Sequence, residues 1–353
     1  MRVLLFGKYD ASYSRNRIIL KALRSHGVAV MECCVSPAGY LWPVKLVFKF
    51  LRMRPEFDVL LVAFPGQEVV PVARLLTRKP ILFDAFTSHY GGYILDRGVA
   101  GIHSLRARWY RFIDRLSCSL ATRVLLDTDA HIAFFVREFA VPKGKFTRLF
   151  VGTDTDVFKS SLPTAHMGFV VHFHGNFIPI QGVQTIIRAA ALITEPAIRF
   201  RIVGTGQTYR YVKDLAERLA VKNVEFLQPV SYQQLAERIT DSDICLGVFG
   251  TTPKTQLVIP NKVYEALAVG RPVITADTSA IRELLSPDSA VLVPPGDERA
   301  LADVIVRLFS EPELRARMAA MAEAVFRSRC SLEVLGKELT GTIYSLIDLP
   351  HAS

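Results

Sequence analysis

The sequence predicts an α/β protein made of two consecutive Rossmann-like domains, and three observations indicate this fold class. The chain has 353 residues, which is enough for two domains of ordinary size. Half of these residues are hydrophobic and 22% are charged, the balance of a globular protein rather than a disordered one. Short apolar runs alternate with helical patterns along the chain, and this alternation is typical of βαβ units in parallel sheets.

The first half of the chain contains five apolar runs that we expect to form parallel strands. Between the first two runs, Ile18, Ala22 and Leu23 share one face of a helix predicted over residues 15–25. Gly27 follows as a helix stop directly before the next run, which completes one βαβ unit. The five runs are Val3–Phe6, Val28–Val35, Val59–Val62, Ile81–Phe83 and Val124–Leu126.

The second half repeats this pattern with six apolar runs and ends in three predicted helices. Residues 159–166, between the halves, are polar and rich in turn-forming side chains, so we place the domain boundary there, after residue 162. The six runs are Phe169–His174, Phe200–Val203, Val224–Phe226, Ile244–Val248, Pro272–Thr275 and Ala290–Val293, and the helices are predicted over Asp297–Phe309, Glu311–Phe326 and Leu332–Ile347.

Basic residues are concentrated in the first half. The chain has 43 Lys and Arg against 33 Asp and Glu, giving a net charge of +10 and an isoelectric point near 9.4. Residues 1–165 contain 24 basic and 13 acidic residues, so this part carries +11 and the remainder −1. A uniformly basic nucleic-acid-binding protein would not show this division. We therefore expect no nucleic-acid partner, and we expect the first half to meet an anion that differs from whatever the second half binds.

The cysteine pattern and the N-terminal residues narrow the class of protein further. There are five cysteines, an odd number without a CxxC pair or Cys/His ligand spacing, so a disulfide framework and a zinc site are not expected. Lys8 and Asp10 end the first apolar run too soon for a signal-peptide core, and no apolar run approaches the about 18 residues of a membrane span. We expect a cytoplasmic protein that can associate peripherally with the inner face of the cell membrane.

Two segments of the first half interleave basic side chains with apolar and aromatic ones. Residues 40–54 place Lys45, Lys49 and Arg52 at helical spacing on an otherwise apolar helix. In residues 104–123, four of the five arginines surround three aromatic rings. Helices of this kind bind anionic membrane surfaces. The alternatives are a buried crossover helix with snorkelling lysines for residues 40–54, and a solvated basic face for residues 104–123.

Candidate chemistry in the second half lies directly after its predicted strands. Ligands of parallel sheets bind at the carboxyl ends of the strands. Gly175 follows one strand, and Gly204 and Gly206 follow the next, where glycines let the backbone approach a phosphate.

A second motif begins a later helix of the same half. Pro260 and Asn261 start this helix, and Lys262 and Glu265 lie on one face near its N-terminus. A cation and free N–H groups there can hold a diphosphate, and a carboxylate one turn later can accept both hydroxyls of a ribose. The alternative for this pair is an ordinary surface ion pair.

The second half resembles the donor-binding domain of glycosyltransferase family 4, the retaining enzymes of the GT-B fold. This resemblance implies two Rossmann-like domains that face each other across a cleft, with the C-terminal helix crossing back to the first domain. It gives a first, acceptor-binding domain over residues 1–162 plus the helix of 331–353, and a second, donor-binding domain over 163–330. Residues 1–120 match only in outline. The stretches that match are Phe173–Ile187, Phe200–Gln207, Val224–Leu235, Asp241–Phe249, Asn261–Ala276 and Ala290–Asp297.

The resemblance implies that the second domain binds a nucleoside-diphosphate sugar. It places Glu265 on the ribose, Lys262 and the loop at Gly175 on the diphosphate, and the backbone near Val230 on the base. The other donor-binding candidates are Asn176, Gly204, Gly206, Lys254, Pro260 and Asn261.

The donor-binding motifs depart from the family at three positions. Asn176 and Gln181 stand where the family often has two cations that clamp the diphosphate, and Leu257 stands where the first of two glutamates is usual. Lys262 and Lys254 are the candidates to supply the missing positive charge.

The first domain should hold the acceptor. Asp84 and His89 are the titratable groups best placed to face the cleft, although a lone histidine such as His89 more often has a structural role. The basic and aromatic side chains near the first loop suit an acidic acceptor. These acceptor-binding candidates are Lys8, Tyr9, Arg15 and Arg17, and the candidate catalytic residues are His89, Asp84, Lys262 and Glu265.

The sequence thus predicts a retaining glycosyltransferase of hexosyltransferase type. Its expected acceptor is a lipid-linked or other membrane glycan or glycolipid of cell-envelope polysaccharide biosynthesis. The nucleotide sugar is a co-substrate, and no metal or other cofactor is expected. Two alternatives stay open: a nucleotide-sugar epimerase of the same fold, and a membrane-associated scaffold that has lost donor binding. The second is suggested by Asn176 and Gln181, which stand where the family often has cations.

Overall fold

The computed structural model describes residues 1–36, 39–160 and 168–348, which form two compact units. Unit 1 comprises Met1–Val151 together with the C-terminal segment that begins at Leu332, and unit 2 comprises Gly152–Ser331. The boundary predicted after residue 162 lies outside the described residues, as do residues 349–353 of the predicted C-terminal segment.

Each unit is built on a sheet of six parallel strands. In unit 1 these are β1 (Arg2–Gly7), β2 (Ala29–Cys34), β3 (Val59–Val62), β4 (Ile81–Asp84), β5 (Arg123–Leu126) and β6 (Phe146–Arg148), in the order β2-β1-β3-β4-β5-β6. In unit 2 they are β7 (Phe169–His174), β8 (Ile198–Val203), β9 (Val224–Leu227), β10 (Ile244–Leu246), β11 (Val273–Ala276) and β12 (Val291–Val293), in the order β12-β11-β10-β7-β8-β9. The prediction of two Rossmann-like domains is confirmed.

Twelve α-helices accompany these strands among the described residues. They are α1 (Ser14–Ser25), α2 (Trp42–Met53), α3 (Val69–Leu76), α4 (Leu105–Leu120), α5 (Asp129–Phe139), α6 (Val183–Leu192), α7 (Tyr209–Arg218), α8 (Tyr232–Thr240), α9 (Asn261–Val269), α10 (Glu298–Ser310), α11 (Pro312–Arg329) and α12 (Leu332–Ile347). A π-helix over Tyr90–Asp96 follows β4. Side-chain caps fix several helix starts: Ser104 caps α4, Ser231 forms a capping box with Gln234 at α8, and Asp297 caps α10.

The helices of unit 1 cover both faces of its sheet. Because βαβ crossovers are right-handed, the strand order puts α1 on one face and α2 to α5 on the other. On the second face, α3 contacts both α2 and α4, and α4 contacts α5. On the first face, α12 packs against α1, as expected for a C-terminal helix that returns to the first domain. Gly336 permits this packing, since an added Cβ would lie 2.2 Å from the ring of His26.

The core of unit 2 lies between its sheet and the helices α6, α7 and α10. Phe173, Phe177, Phe200 and Phe249 are among its largest fully buried side chains. Phe177 and Phe249 follow β7 and β10 respectively, so the core extends up to the loops at the carboxyl ends of these strands. Those loops therefore rest on a rigid base.

Candidate functional site

Three loops of unit 2 meet at the carboxyl end of its sheet. Phe177, after β7, donates its backbone N–H to the carbonyl of Thr205, after β8, at 2.8 Å. Phe249, after β10, donates to the carbonyl of Gln181 at 3.1 Å. The loop after β7 is thus joined by backbone hydrogen bonds to the loops that follow β8 and β10, and the three form one surface beside the N-terminus of α9.

Two glycines make this close approach of backbones feasible. A Cβ on Gly204 would lie 2.0 Å from the carbonyl oxygen of Gly175, and one on Gly206 would lie 2.7 Å from the backbone nitrogen of Phe177. Both glycines have positive φ angles, 140° and 149°, which side chains disfavour. Gly204 and Gly206 therefore shape the loop surface at the carboxyl ends of the strands. Parallel sheets usually bind phosphate groups at such a surface.

Lys262 lies beneath the first of these loops. It is the second residue of α9, it is buried, and its Nζ donates a hydrogen bond to Oε1 of Gln181. The same Nζ lies 3.7 Å from the centroid of the Phe173 ring and 3.0 Å from where a Cβ of Gly175 would be. Burial lowers the pKa of Lys262 well below its usual range, while the carboxylate of Glu265 acts in the opposite direction.

Glu265, one turn later on α9, is held by a histidine pair. The Nε2 of His174 lies 2.7 Å from Oε2 of Glu265, and the Nδ1 of His174 lies 3.1 Å from Nε2 of His172. Glu265 and His172 are buried, and the side chain of His174 is nearly so. This contact occupies one carboxylate oxygen of Glu265 and leaves the other for a ligand.

The remaining donor candidates lie around these residues. Pro260 occupies the N-cap position of α9 and Asn261 is its first residue, so free backbone N–H groups face outward there. Asn176 is exposed on the loop after β7, and Val230 is half-buried before α8. Lys254 is half-buried in the short 3₁₀ turn Pro253–Gln256. The structure thus brings Lys262, Glu265, Gly175, Gly204 and Gly206 together at one edge of the sheet.

Two of the candidates in unit 1 form a buried ion pair. Arg15 and Asp84 are 1% and 0% exposed, and Nε and Nη2 of Arg15 donate to the Asp84 carboxylate at 2.9 to 3.1 Å. Nη1 of Arg15 donates to the carbonyl oxygens of Leu149 and Phe150 at 3.0 and 2.9 Å. This arrangement fixes α1, β4 and the segment after β6 to one another, which is a structural role for both side chains.

The other basic and aromatic candidates near the first loop have different surroundings. Tyr9 is buried, and its hydroxyl donates to Glu32 at 2.9 Å. Lys8 lies 3.2 Å from the carboxylate of Glu68 and 4.5 Å from the ring centroid of Trp42. Arg17 is half-buried on α1. Of these candidates, Lys8 is the one that lies beside a cluster of side chains around His89.

His89 lies in a cluster of aromatic and charged side chains at the carboxyl end of the unit 1 sheet. Its Nδ1 is 3.7 Å from Oε1 of Glu68, and its ring centroid is 5.7 Å from those of both Tyr93 and Tyr110, which stack at 5.3 Å. Burial lowers the pKa of His89 below its usual range, and the carboxylate of Glu68 opposes this shift. A neutral imidazole of this kind can accept a proton from a hydroxyl.

A buried carboxylate holds the backbone of His89 in place. Asp114 on α4 accepts hydrogen bonds from the Ser88 hydroxyl at 2.7 Å and from the backbone N–H groups of His89 and Tyr90 at 3.1 and 2.9 Å. Burial raises the pKa of Asp114 to about 7, although these donors favour its charged form. The position of His89 is therefore set by α4.

The comparison with known families identifies the class of protein. Residues 168–311 match the family described as glycosyl transferases group 1. The matched residues make up most of unit 2 and none of unit 1. The expectation of a glycosyltransferase is thereby confirmed, and the match covers the three loops, Lys262 and Glu265.

Known glycosyltransferases resemble this one over most of its length. The GDP-mannose-dependent monoacylated alpha-(1-6)-phosphatidylinositol monomannoside mannosyltransferase of Corynebacterium glutamicum is 24% identical over 293 residues, 75% of this chain and 74% of the relative. The Anabaena protein Alr3699/HepE, solved in complex with UDP-glucose, has a TM-score of 0.73 at 18% identity and covers 98% of this chain and 100% of its own. Sucrose-phosphate synthase of Thermosynechococcus elongatus has a TM-score of 0.79 at 17% identity, covering 99% and 100%. The GT-B fold class is confirmed.

The structure reveals further candidate site residues, which the sequence analysis did not select. In unit 2 these are His172 and His174, whose spacing of two along a strand already places them on one face. In unit 1 they are Glu68, Tyr93 and Tyr110, which come from three separate elements. No local pattern connects these three residues, so only the folded chain reveals their proximity.

The outer surface of unit 1 in this glycosyltransferase exposes many apolar side chains. On and before α2, Leu41, Val44, Phe48 and Leu51 are 59 to 66% exposed, and Leu46 is the fully buried residue of the helix. Around α4, Leu105, Trp109 and Phe112 are more than half exposed. The α2 segment is therefore a surface helix with an outward apolar stripe, which argues against a buried crossover helix.

Two kinds of feature are missing from the part of the chain that the structure describes. Across residues 1–36, 39–160 and 168–348, no helix combines the length and apolar character that crossing a bilayer requires. Within the same ranges, no cluster of three or more His, Cys, Asp or Glu side chains has the arrangement of a metal site.

Proposed function

We propose that the enzyme is a retaining glycosyltransferase that moves a sugar from a nucleoside-diphosphate sugar, bound by unit 2, to a hydroxyl of a membrane-bound glycolipid or lipid-linked glycan, bound by unit 1. One observation carries the donor part: Nζ of Lys262 lies under the Gly175 loop where three strand-end loops meet, with Glu265 one turn away on the same helix. This set combines a cation, free N–H groups and a carboxylate.

The position of Lys262 supports diphosphate binding despite the substitutions at Asn176 and Gln181. The resemblance to family 4 implies a lysine where Gln181 stands, and Lys262 donates to the side-chain oxygen of this same Gln181. The cation therefore reaches the vicinity of residue 181 from α9. Because the opposite charges of a lysine and a diphosphate attract strongly where water is scarce, one lysine beside a helix N-terminus is a sufficient anion site.

The proposed chemistry requires stabilisation of the leaving diphosphate above all. Negative charge develops on the phosphate oxygens as the bond to the sugar breaks, and Lys262 with the N–H groups of α9 would stabilise it. Retention through departure and attack on the same face needs no protein nucleophile, and the leaving phosphate takes the proton of the acceptor hydroxyl. We propose that no metal takes part, so that EDTA leaves activity unchanged.

The cluster around His89 supports acceptor binding by unit 1. Stacked Tyr93 and Tyr110 offer a flat apolar surface for a sugar ring, while Glu68 and Lys8 offer an acceptor and a donor for its hydroxyls. His89 lies between these groups as a neutral imidazole. We propose that His89 orients the acceptor hydroxyl, and that Asp84 acts only through its ion pair with Arg15.

The exposed apolar surface supports membrane attachment of unit 1. Lys45 and Arg52 are exposed beside the apolar stripe of α2, the combination that anionic bilayers attract. The Corynebacterium relative is named for a phosphatidylinositol mannoside acceptor. We propose peripheral attachment through α2 and α4, with the acceptor headgroup reaching the His89 cluster from that surface.

Isothermal titration of the protein with UDP, GDP, ADP and dTDP and their common sugar adducts tests donor binding. We expect one nucleotide to bind, and Lys262→Met and Glu265→Gln to weaken it about 10- to 100-fold, because each change removes a charged hydrogen-bond partner. Exposed Lys222→Met and Glu237→Gln are matched controls on the same unit and should bind as the unaltered protein does.

Two results would contradict this proposal. Absence of binding by all four nucleotides and their sugars would support a scaffold without donor binding. Rapid interconversion of the donor sugar without any acceptor would support an epimerase.

A further inference from the structure

Strand β7 carries two histidines that connect Glu265 to the interior of unit 2. His172 and His174 point to the same face of the strand, and their rings are 5.2 Å apart. The hydrogen-bonded chain runs from Nε2 of His172 to Nδ1 of His174 at 3.1 Å, and from Nε2 of His174 to Glu265 at 2.7 Å. His172 is buried, and its Nδ1 has no hydrogen-bond partner among the described residues.

This chain fixes where the protons lie. An ionised Glu265 only accepts, so the Nε2 of His174 carries a proton and donates it. The Nδ1 of neutral His174 is then an acceptor, and the Nε2–H of His172 donates to it. The Nδ1 of His172 is left as a bare lone pair, which agrees with its lack of a hydrogen-bond partner in the described part of the chain.

A second proton on His174 would disturb the whole chain. The new Nδ1–H would face the Nε2–H of His172, so His172 would have to move its own proton to Nδ1. That N–H would be buried without an acceptor among the described residues, and a buried unsatisfied donor is unfavourable. The hydrogen-bonded chain therefore keeps all its bonds without a buried unsatisfied donor only when His174 carries a single proton.

We propose that His174 is a positioning residue for donor binding, held as the neutral Nε2–H tautomer by His172, and that it orients Glu265 as an anion toward the ribose of the nucleotide. The proposal rests on the donor role proposed above for Glu265. With His174 neutral, the carboxylate is not paired with an imidazolium and keeps its strength as an acceptor for the ribose hydroxyls.

The surroundings favour the neutral state of His172. Burial is the largest cause that lowers the pKa of His172 well below its usual range, and the neighbouring His174 ring and three basic side chains lower it further. The ionisable groups that face the two rings come from α9, β8, α8 and β10. They are Lys262 and Glu265, Arg201, Arg238 and Cys245.

Ring nitrogen NMR of protein labelled with ¹⁵N-histidine tests the proton arrangement without any activity assay. We expect His172 and His174 to give the signals of neutral Nε2–H tautomers at about pH 7.5. In His172→Phe, which has no ring nitrogen to face Nδ1 of His174, the Nδ1 signal should shift because it loses its hydrogen bond. An Nδ1–H tautomer of either histidine in the unaltered protein, or an Nδ1 signal of His174 that is the same in both proteins, would overturn the proposal.

Nucleotide affinity tests the positioning role. With UDP, GDP, ADP or dTDP as the probe, whichever binds, His174→Phe should weaken binding about 10-fold, and His174→Gln, which keeps an N–H donor, should stay within about 3-fold. Equal affinity of His174→Phe and the unaltered protein, or equal weakening in both variants, would overturn it. If the unaltered protein binds no nucleotide, the donor role of Glu265 is wrong, and the positioning role of His174 is wrong with it. The NMR experiment still tests the tautomers of the two histidines independently of nucleotide binding.

Discussion

Lys262 illustrates how far single residues can be predicted from this sequence. Its place on one helix face with Glu265 follows from a spacing of three, and the structure places both residues near the start of α9 beside the strand-end loops of unit 2. Its contacts with Gln181 and the Gly175 loop join residues far apart in the chain, so no local pattern contains them. The spacing of His172 and His174 does place them on one face of a strand, but their contact with Glu265 spans 91 residues and is likewise absent from any local pattern.

We predict that diphosphate binding is accompanied by proton uptake at Lys262. Burial lowers its pKa in the free protein, and a bound anion raises it again, so at a pH between these two values Lys262 takes up a proton from the buffer when the nucleotide binds. Affinity should accordingly fall as the pH rises from the pKa of the free state to that of the bound state. Titration calorimetry at about pH 8.5, where the diphosphate is fully ionised, measures uptake as a difference in enthalpy between HEPES and Tris.

Lys262→Arg is the matched control for proton uptake. The guanidinium stays charged in both states, so the buffer dependence should vanish in this variant. Equal uptake in Lys262→Arg and the unaltered protein would assign the proton to another group.

Arg15 and Asp84 are candidates whose long-range partners could not be predicted from the sequence. Their types and positions after or near strand ends favour a site role, yet the structure buries both as partners of one another. Whether an arginine faces a ligand or a carboxylate depends on a partner that lies 69 residues away.

We predict that Arg15→Met destabilises the protein by about 3 to 5 kcal/mol, because it leaves Asp84 as an unpaired buried charge. Two carbonyl oxygens lose their donor as well. Urea unfolding followed by circular dichroism measures the change. The exposed Arg210→Met should leave the free energy of unfolding almost unchanged. If Arg15→Met is as stable as the unaltered protein but binds acceptor poorly, Arg15 has a role in acceptor binding instead of a structural one.

At the scale of elements, the strands follow from the sequence better than the exposed helices do. Each predicted apolar run contains a strand, because buried parallel strands need continuous apolar side chains. Strand β6 was missed, since Thr147 and Arg148 leave it without an apolar run. For α2 the sequence allowed both a buried and a surface helix, and the exposure of Leu41, Val44, Phe48 and Leu51 decides for the surface.

We predict that α2 attaches the protein to anionic vesicles. Flotation with vesicles containing about one-third anionic lipid should carry the protein upward, and Lys45→Ala combined with Arg52→Ala should reduce the bound fraction, since each basic residue adds about 1 kcal/mol of attraction. Phe48→Ser should reduce it further by removing an inserted ring. The double variant Arg210→Ala and Lys222→Ala removes two exposed charges from unit 2 and should float normally. Recovery of the unaltered protein at the bottom of the gradient would contradict membrane attachment.

At the scale of the whole molecule, the net charge follows the division into units. Unit 1, with its C-terminal helix, has 24 Lys and Arg against 14 Asp and Glu, whereas unit 2 has 19 of each. The entire excess of +10 therefore belongs to the unit with the exposed apolar helices. The sequence showed this asymmetry, and the structure adds that positive charge and apolar surface occur on the same helices.

Transfer of labelled sugar into lipid tests the central proposal most directly. Protein is incubated with radiolabelled UDP-glucose or GDP-mannose and a membrane lipid extract, and the label is measured in the organic phase. We expect protein-dependent label in lipid from one of the donors, unaffected by EDTA and lost in Lys262→Met and Glu265→Gln. Label that stays in the aqueous phase with both donors, or lipid labelling that persists in both variants, would contradict the assignment of this site as the donor site of a lipid-directed glycosyltransferase.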